Sequence, residues 1–174
     1  MSLTILIIYF LIFSFVGWIV DSTSSSLVRK KFVNSGYFRT LPLCPLYGIG
    51  GVILFIFVKY TSLPNITAII MGTLITVAVE YLGGVFCVNI LEERLWDYSQ
   101  NTLHVHGHID LTHSFLWGIL VAIFYYIFPF LLTLDILLEH ILVLPHILDV
   151  SIFVAFCLAA YKLTAQQKKF RHSR

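Results

Sequence analysis

Charge is what this sequence has least of. Only 11% of its 174 residues are Asp, Glu, Lys or Arg, where a soluble domain carries about a quarter. Hydrophobic residues make up 59%, and mean hydropathy is +0.91. One water-soluble core cannot bury that much apolar surface, so the bilayer has to act as the solvent. Cysteine is scarce as well. Cys44, Cys87 and Cys157 are odd in number, and their spacings fit neither a zinc nor a disulfide framework. All three fall in or beside apolar runs and read as small buried hydrophobes. The first apolar run opens Met1-Ser2-Leu3-Thr4 without a basic n-region and is too long for a cleaved h-region, so no separate signal peptide is expected. The basic residues flank apolar runs and read as topology anchors, which argues against nucleic acid as a partner. No internal repeat and no low-complexity segment stands out. The run Ser22-Thr23-Ser24-Ser25-Ser26 is too short for a linker. Asn65-Ile66-Thr67 fits a glycosylation sequon but hugs an apolar run and reads as a chance match.

What is present is positive charge in an uneven distribution. Of eleven Lys and Arg, four fall in one segment (Arg29, Lys30, Lys31, Arg39) and five at the C-terminus (Lys162, Lys168, Lys169, Arg171, Arg174), with Lys59 and Arg94 between. The apolar runs separating them predict an all-α, polytopic transmembrane helical bundle of about five spans, forming a single integral membrane domain over 1–174. The spans are expected near Leu3–Val20 (continuing as a polar-faced helix to about Leu27), Pro45–Tyr60, Ala68–Ile90, Leu111–Leu134 and Ile147–Leu163. A full crossing takes roughly 20 residues, because the apolar core is about 30 Å thick. Pro45 suits a first helical turn. Asp149 weakens the fifth span, and Asp135–His146 reads as an interfacial or re-entrant piece. With the N-terminus outside and the C-terminus cytoplasmic, ten of the eleven basic residues lie inside and only Lys59 outside; the reverse orientation violates the positive-inside rule. The basic tail also suits anionic lipid headgroups.

Ionisable groups inside a span are costly and therefore candidates for function. Glu80 falls about 18 Å along the third span, near the bilayer midplane. It shares an i, i+4 face with Gly72, Thr76 and Gly84, small residues that admit a neighbouring helix. Glu80 is thus expected to point into the bundle, serving either proton coupling, substrate contact or catalysis, or only an interhelical hydrogen bond. Asp21 closes the apolar part of the first span, as a functional acid or a membrane-edge residue. The stretch from Glu92 to His113 is the densest in polar groups. His104, His106, His108 and His113 with Asp110 invite a metal reading, and His106-Gly107-His108-Ile109-Asp110 fits an H-x-H-x-D pattern. The alternative is chance clustering in a polar loop.

Several stretches together resemble the bacterial membrane-protein family of putative ABC-transporter type IV. They are Phe13-Ser14-Phe15-Val16-Gly17-Trp18 with Asp21, Lys31-Phe32-Val33-Asn34-Ser35-Gly36-Tyr37, Cys44-Pro45-Leu46-Tyr47-Gly48-Ile49-Gly50, Glu80-Tyr81, Trp96-Asp97-Tyr98-Ser99, and Gly107-His108-Ile109 leading to Ser114-Phe115-Leu116-Trp117-Gly118. The family commonly has Glu at Asp21, Asn-x-Asn-Gly-Arg-Ile at His104–Ile109, and often Cys at Asp110, so the His cluster belongs to this chain's variant. The resemblance implies a transport subunit of the bacterial cytoplasmic membrane. The sequence has no Walker A motif, so ATP use implies a separate ATP-binding subunit, and five short spans imply a homo-oligomer. The matching stretches gather on the expected cytoplasmic half. They describe an inward-facing polar site roofed by Trp18, Tyr47, Trp96 and Trp117, unless these aromatics are interfacial belt residues. Asp21, Asn34, Glu80, Tyr81, Trp96, Asp97, Tyr98, Ser99 and Trp117 are the candidates for a substrate or proton path. The expectation is a permease subunit more than an enzyme. The alternatives are an intramembrane enzyme on a lipid or isoprenoid substrate, with metal assistance, and a non-catalytic membrane partner protein. The sequence names no cofactor.

Overall fold

The computed structural model describes residues 2–35, 41–141, 151, 154–159 and 162. Among these it contains helices and no strands, apart from one isolated bridge between Val105 and Ile109. The helices are α1 (Leu3–Arg29), α2 (Pro45–Tyr60), α3 (Asn65–Asn89) and α4 (Leu111–Ile141), with residues 154–159 also helical. Three of them, α1, α3 and α4, are long and apolar enough to cross a membrane, and α2 is a shorter apolar helix. The expected fifth span lies largely outside the described residues.

Local chemistry sets the helix ends. Ser2 caps α1 by accepting the Ile5 N–H at 3.3 Å, and the helix stops at Lys30, which is left-handed (φ 50°, ψ 30°). Pro45 opens α2 as expected, since a missing N–H costs nothing in a first turn. Asp110 caps α4, its carboxylate accepting the His113 N–H at 2.7 Å. One expectation is corrected. Residues 135–141 are not a re-entrant piece but a continuation of α4, which runs on past the internal Pro129. Asp135, on this continuation, is fully buried in protein, with Tyr9 and Glu139 nearby.

The chain forms two compact units: Met1–Gly48 with Leu134–Arg174, and Ile49–Thr133. In the second unit, Leu54 and Val58 of α2 pack with Val121 of α4, flanked by Phe57, Ile69, Phe124, Tyr125 and Phe128. Gly72 lets α3 into this core, since a Cβ there would stand 2.9 Å from both Leu54 and Val121. In the first unit Gly17 of α1 receives Tyr47, and Gly48 sits against Ser14 and Phe10. Large apolar side chains such as Phe15, Ile70, Leu82, Phe115 and Phe130 are exposed along the helices, which suits a lipid environment. The protein is a helical membrane protein.

Candidate functional site

In α3 the buried positions are Ala68, Gly72, Thr76, Glu80, Gly84 and Cys87, the helical stripe expected from the sequence extended by a turn at each end. Glu80 is 4% exposed. Its Oε1 accepts from the Tyr98 hydroxyl at 3.1 Å and its Oε2 from the Trp117 indole N–H at 2.9 Å. Both carboxylate oxygens are thus held by neutral donors, one from the loop after α3 and one from the second turn of α4.

That loop is braced to keep Tyr98 in place. The Tyr98 N–H donates to Gly107 O at 2.9 Å and the Trp96 indole to His108 O at 2.8 Å. His108 N–H closes on Val105 O at 3.0 Å, with φ positive at both His106 (53°) and Gly107 (73°). Such a pair of left-handed residues defines a type I′ turn. A side chain at Gly107 would also run into Arg94 and Asp97, each 2.7 Å from an added Cβ. Asp97 pairs with Arg94 at 2.7 Å and accepts the Ser99 N–H at 2.9 Å. The Ser99 backbone and side chain, then Arg94, hold the Asp97 carboxyl below its usual range. His108 is 6% exposed and lies over Gly84. Burial first, then the Arg94 charge, lowers its affinity for a proton.

Beside Glu80, the His113 ring stacks on Tyr98 with centroids 3.9 Å apart. Its Nδ1 lies 2.7 Å from Asp110 Oδ1. Asp110 is 2% exposed, and its other oxygen accepts from the Asn101 amide. Burial alone would raise the Asp110 pKa. The His113 N–H, the Asn101 amide and the His113 ring outweigh it and hold the carboxyl below the ordinary range. Acidification through that lowered range removes the α4 cap, and protonation of buried His108 acts in the same direction. The loop is therefore expected to keep this stability above the ordinary Asp and His values and to lose it as pH falls from there through the two depressed ones, checked by hydrogen exchange of residues 94–110 across pH.

The first unit holds its own acid. Asp21 Oδ1 accepts from the Tyr47 hydroxyl at 2.7 Å, and Oδ2 from the Cys44 thiol at 3.8 Å. Gly17, one turn before, gives Tyr47 its path. The serines after Asp21 fasten the returning chain: Ser22 and Ser26 accept the N–H groups of Ser35 and Val33 at 3.2 and 2.9 Å. The Trp18 indole donates to Asn34 at 2.7 Å.

The comparison with protein families bears on both sites. The family model described as putative ABC-transporter type IV matches residues 8–163. The chain belongs to that family. No curated protein and no solved structure gives a match.

Of the family stretches singled out in the sequence, Tyr47 meets Asp21 and Trp18 meets Asn34 within the first unit. Within the second, Tyr98 and Trp117 meet at Glu80, Trp96 and the Asp97–Ser99 contact brace the loop that carries Tyr98, and the Tyr81 hydroxyl lies 2.9 Å from His106 Nδ1. The resemblance gives Asn-Gly where this family member has His106-Gly107. Both pairs satisfy the turn, since Asn and His enter the left-handed region more readily than other side chains. The five residues of the metal reading serve separate tasks. His104 accepts the Gly107 N–H at 3.2 Å, His106 meets Tyr81, His108 packs on Gly84, and only Asp110 and His113 pair. Among the described residues no three His, Cys, Asp or Glu side chains converge on a point where a metal ion would sit.

Sequence reasoning placed Tyr47 in the roof of the site without pairing it with Asp21, and missed Asn101 and Cys44 as partners of the acids. A polar or thiol residue near an acid has no periodicity to give it away when the two are separated by a loop. Burial, and then the Asp21 charge, push the Cys44 thiol up to about 12. At pH 8 that leaves on the order of one thiolate in ten thousand, against about a quarter for an unperturbed thiol. Native Cys44 is expected to resist N-ethylmaleimide, and Asp21→Asn to speed its modification in part, since burial, the larger cause, remains; both are read by mass spectrometry. Rapid labelling of native Cys44 would contradict the buried thiol–carboxylate pair.

Proposed function

We propose that the chain is the membrane-spanning permease subunit of a transport system, with Glu80 as the proton-carrying acid of its path. The observation that carries this reading is a carboxylate buried within an apolar helix and held on both oxygens by neutral donors. A buried acid so placed is costly when charged, and taking up a proton cancels that cost. Tyr98, His113 and Asp110 line the approach to it from the loop side and supply groups able to pass a proton. The charge distribution supports five spans with the acid sites opening toward the cytoplasm of a bacterial cell. A reporter fused after Arg174 is then expected to be cytoplasmic, and a signal from the opposite side would overturn this orientation.

The deciding experiment is affinity purification of the tagged protein from its native membrane in mild detergent. A stoichiometric ATP-binding subunit supports the permease reading. A chain that purifies alone, or only with itself, counts against it. One observation favours a second reading, an intramembrane enzyme on a lipid or isoprenoid: the Asp110–His113 pair has the geometry of an oriented general base. Turnover of such a substrate by the isolated chain, lost in His113→Ala, would establish that reading instead.

A further inference from the structure

The two acid sites are built to one plan. In the second unit, Glu80 of α3 accepts from Trp117 of α4, and the next residue, Gly118, faces Thr73, two turns before Glu80, at 3.6 Å. In the first unit, Asp21 of α1 accepts from Tyr47 of α2, and the next residue, Gly48, faces Ser14, two turns before Asp21, with Ser14 Oγ 2.1 Å from an added Cβ. In each case an aromatic donor reaches the acid, and a glycine follows it. That glycine abuts a hydroxyl residue at the same offset on the acid's helix. The sequence around the donor matches as well: Leu46-Tyr47-Gly48-Ile49 against Leu116-Trp117-Gly118-Ile119. The interval from acid to donor differs, 26 residues against 37, because the loop before α4 is longer than the one before α2 and Trp117 lies one turn deeper in its helix than Tyr47. A shared register on both helices with an unequal loop is what duplication of a helix–loop–helix leaves behind. Independent packing has no reason to place the hydroxyl residue, the acid, the donor and the glycine in matching positions twice.

We infer that α1–α2 and α3–α4 are two copies of one helix–loop–helix, and that Asp21 is the counterpart of Glu80, a second proton-binding carboxylate. The proton role rests on the reading proposed for Glu80; the duplication does not. Among the described residues, titratable groups that face the two acids include Tyr47 and Cys44 at Asp21, and Tyr98, His113 and Asp110 at Glu80. At either acid the step is simple: a carboxylate oxygen gains a proton, the charge is cancelled, and a hydroxyl donor turns to accept.

The test is pH-difference infrared spectroscopy of the full-length protein in lipid, following the C=O stretch of protonated carboxyls. Two titrating bands are expected, one lost in Asp21→Asn and the other in Glu80→Gln. A band lost only in Glu80→Gln, with Asp21→Asn unchanged from wild type, overturns the second site while leaving the Glu80 reading intact. Absence of any band assignable to Glu80 overturns that reading and, with it, the proton role of Asp21. The duplication is tested separately by exchanging the donors, Tyr47→Trp and Trp117→Tyr. Copies of one unit are expected to accept each other's aromatic, with melting temperatures near wild type. A loss as large as that of Tyr47→Leu or Trp117→Leu measured alongside overturns it. Asp21→Glu covers the case in which Asp21→Asn fails to fold: as the acid of the matching position, it is expected to retain a titrating band.

Discussion

Gly17→Ala is expected to be the most damaging single methyl group that can be added to the first unit. A Cβ at position 17 would stand 2.2 Å from both Cβ and Cγ of Tyr47. These atoms lie next to the α2 backbone, so no rotamer change of Tyr47 removes the clash; the helices have to separate. Overpacking of this kind costs roughly 1–3 kcal/mol and at times more, and separation also draws the Tyr47 hydroxyl away from Asp21. A fall in melting temperature in detergent is the expected result. The mechanism is checked by a double-mutant cycle: Gly17→Ala with Tyr47→Gly should cost less than the sum of the two single changes, because the second removes both the Cβ and the ring that the first collides with. Strict additivity would show that Gly17 does not seat Tyr47.

The other large effect is on activity. Glu80→Gln is expected to abolish transport while leaving the protein inserted and folded. The amide has the shape of the acid, with one oxygen and one NH2 in place of two oxygens. The Trp117 indole N–H can only donate, so the amide oxygen must face it. The NH2 then faces Tyr98, whose hydroxyl is able to accept. The cluster keeps its hydrogen bonds, but position 80 is fixed in a form resembling the protonated acid and can no longer gain or lose charge. Glu80→Leu, by contrast, leaves two donors without an acceptor, at about 1–3 kcal/mol each if they stay buried, and should lower stability as well. Substrate flux and thermal melting on the two variants separate these effects. Full flux with Gln at position 80 would rule out a proton-carrying role.

The elements whose chemistry is local were the legible ones. Pro45 marked the start of α2, and the spacing of Gly72, Thr76, Glu80 and Gly84 marked the inward face of α3, because helical period and small side chains are written directly in the sequence. Glu80 itself stood out as a lone acid in an apolar run. The end of the fourth span did not, since Asp135 and Glu139 look like an exit from the membrane until Asp135 is seen to be buried. The His loop suggested ligands because composition is visible and direction is not. A left-handed turn at His106 and Gly107 sends the neighbouring histidines to different partners. The duplication escaped notice for a similar reason. Only four neighbouring positions carry it in sequence, and at one of the four, Tyr47 against Trp117, the match is in function as a donor rather than in identity.

The brevity of α2 has a consequence for the surrounding lipid. Its 16 residues rise about 24 Å, about 6 Å short of an average hydrocarbon thickness. On the five-span reading proposed above, a span of that length, with Lys59 in its last turn, would meet this mismatch by thinning the adjacent bilayer and extending the lysine toward the headgroups, at fractions of a kcal/mol per ångström. Polar groups at its Pro45 end are then nearer to water than chain position alone suggests, and acyl-chain length becomes a variable that tunes how easily a proton reaches them.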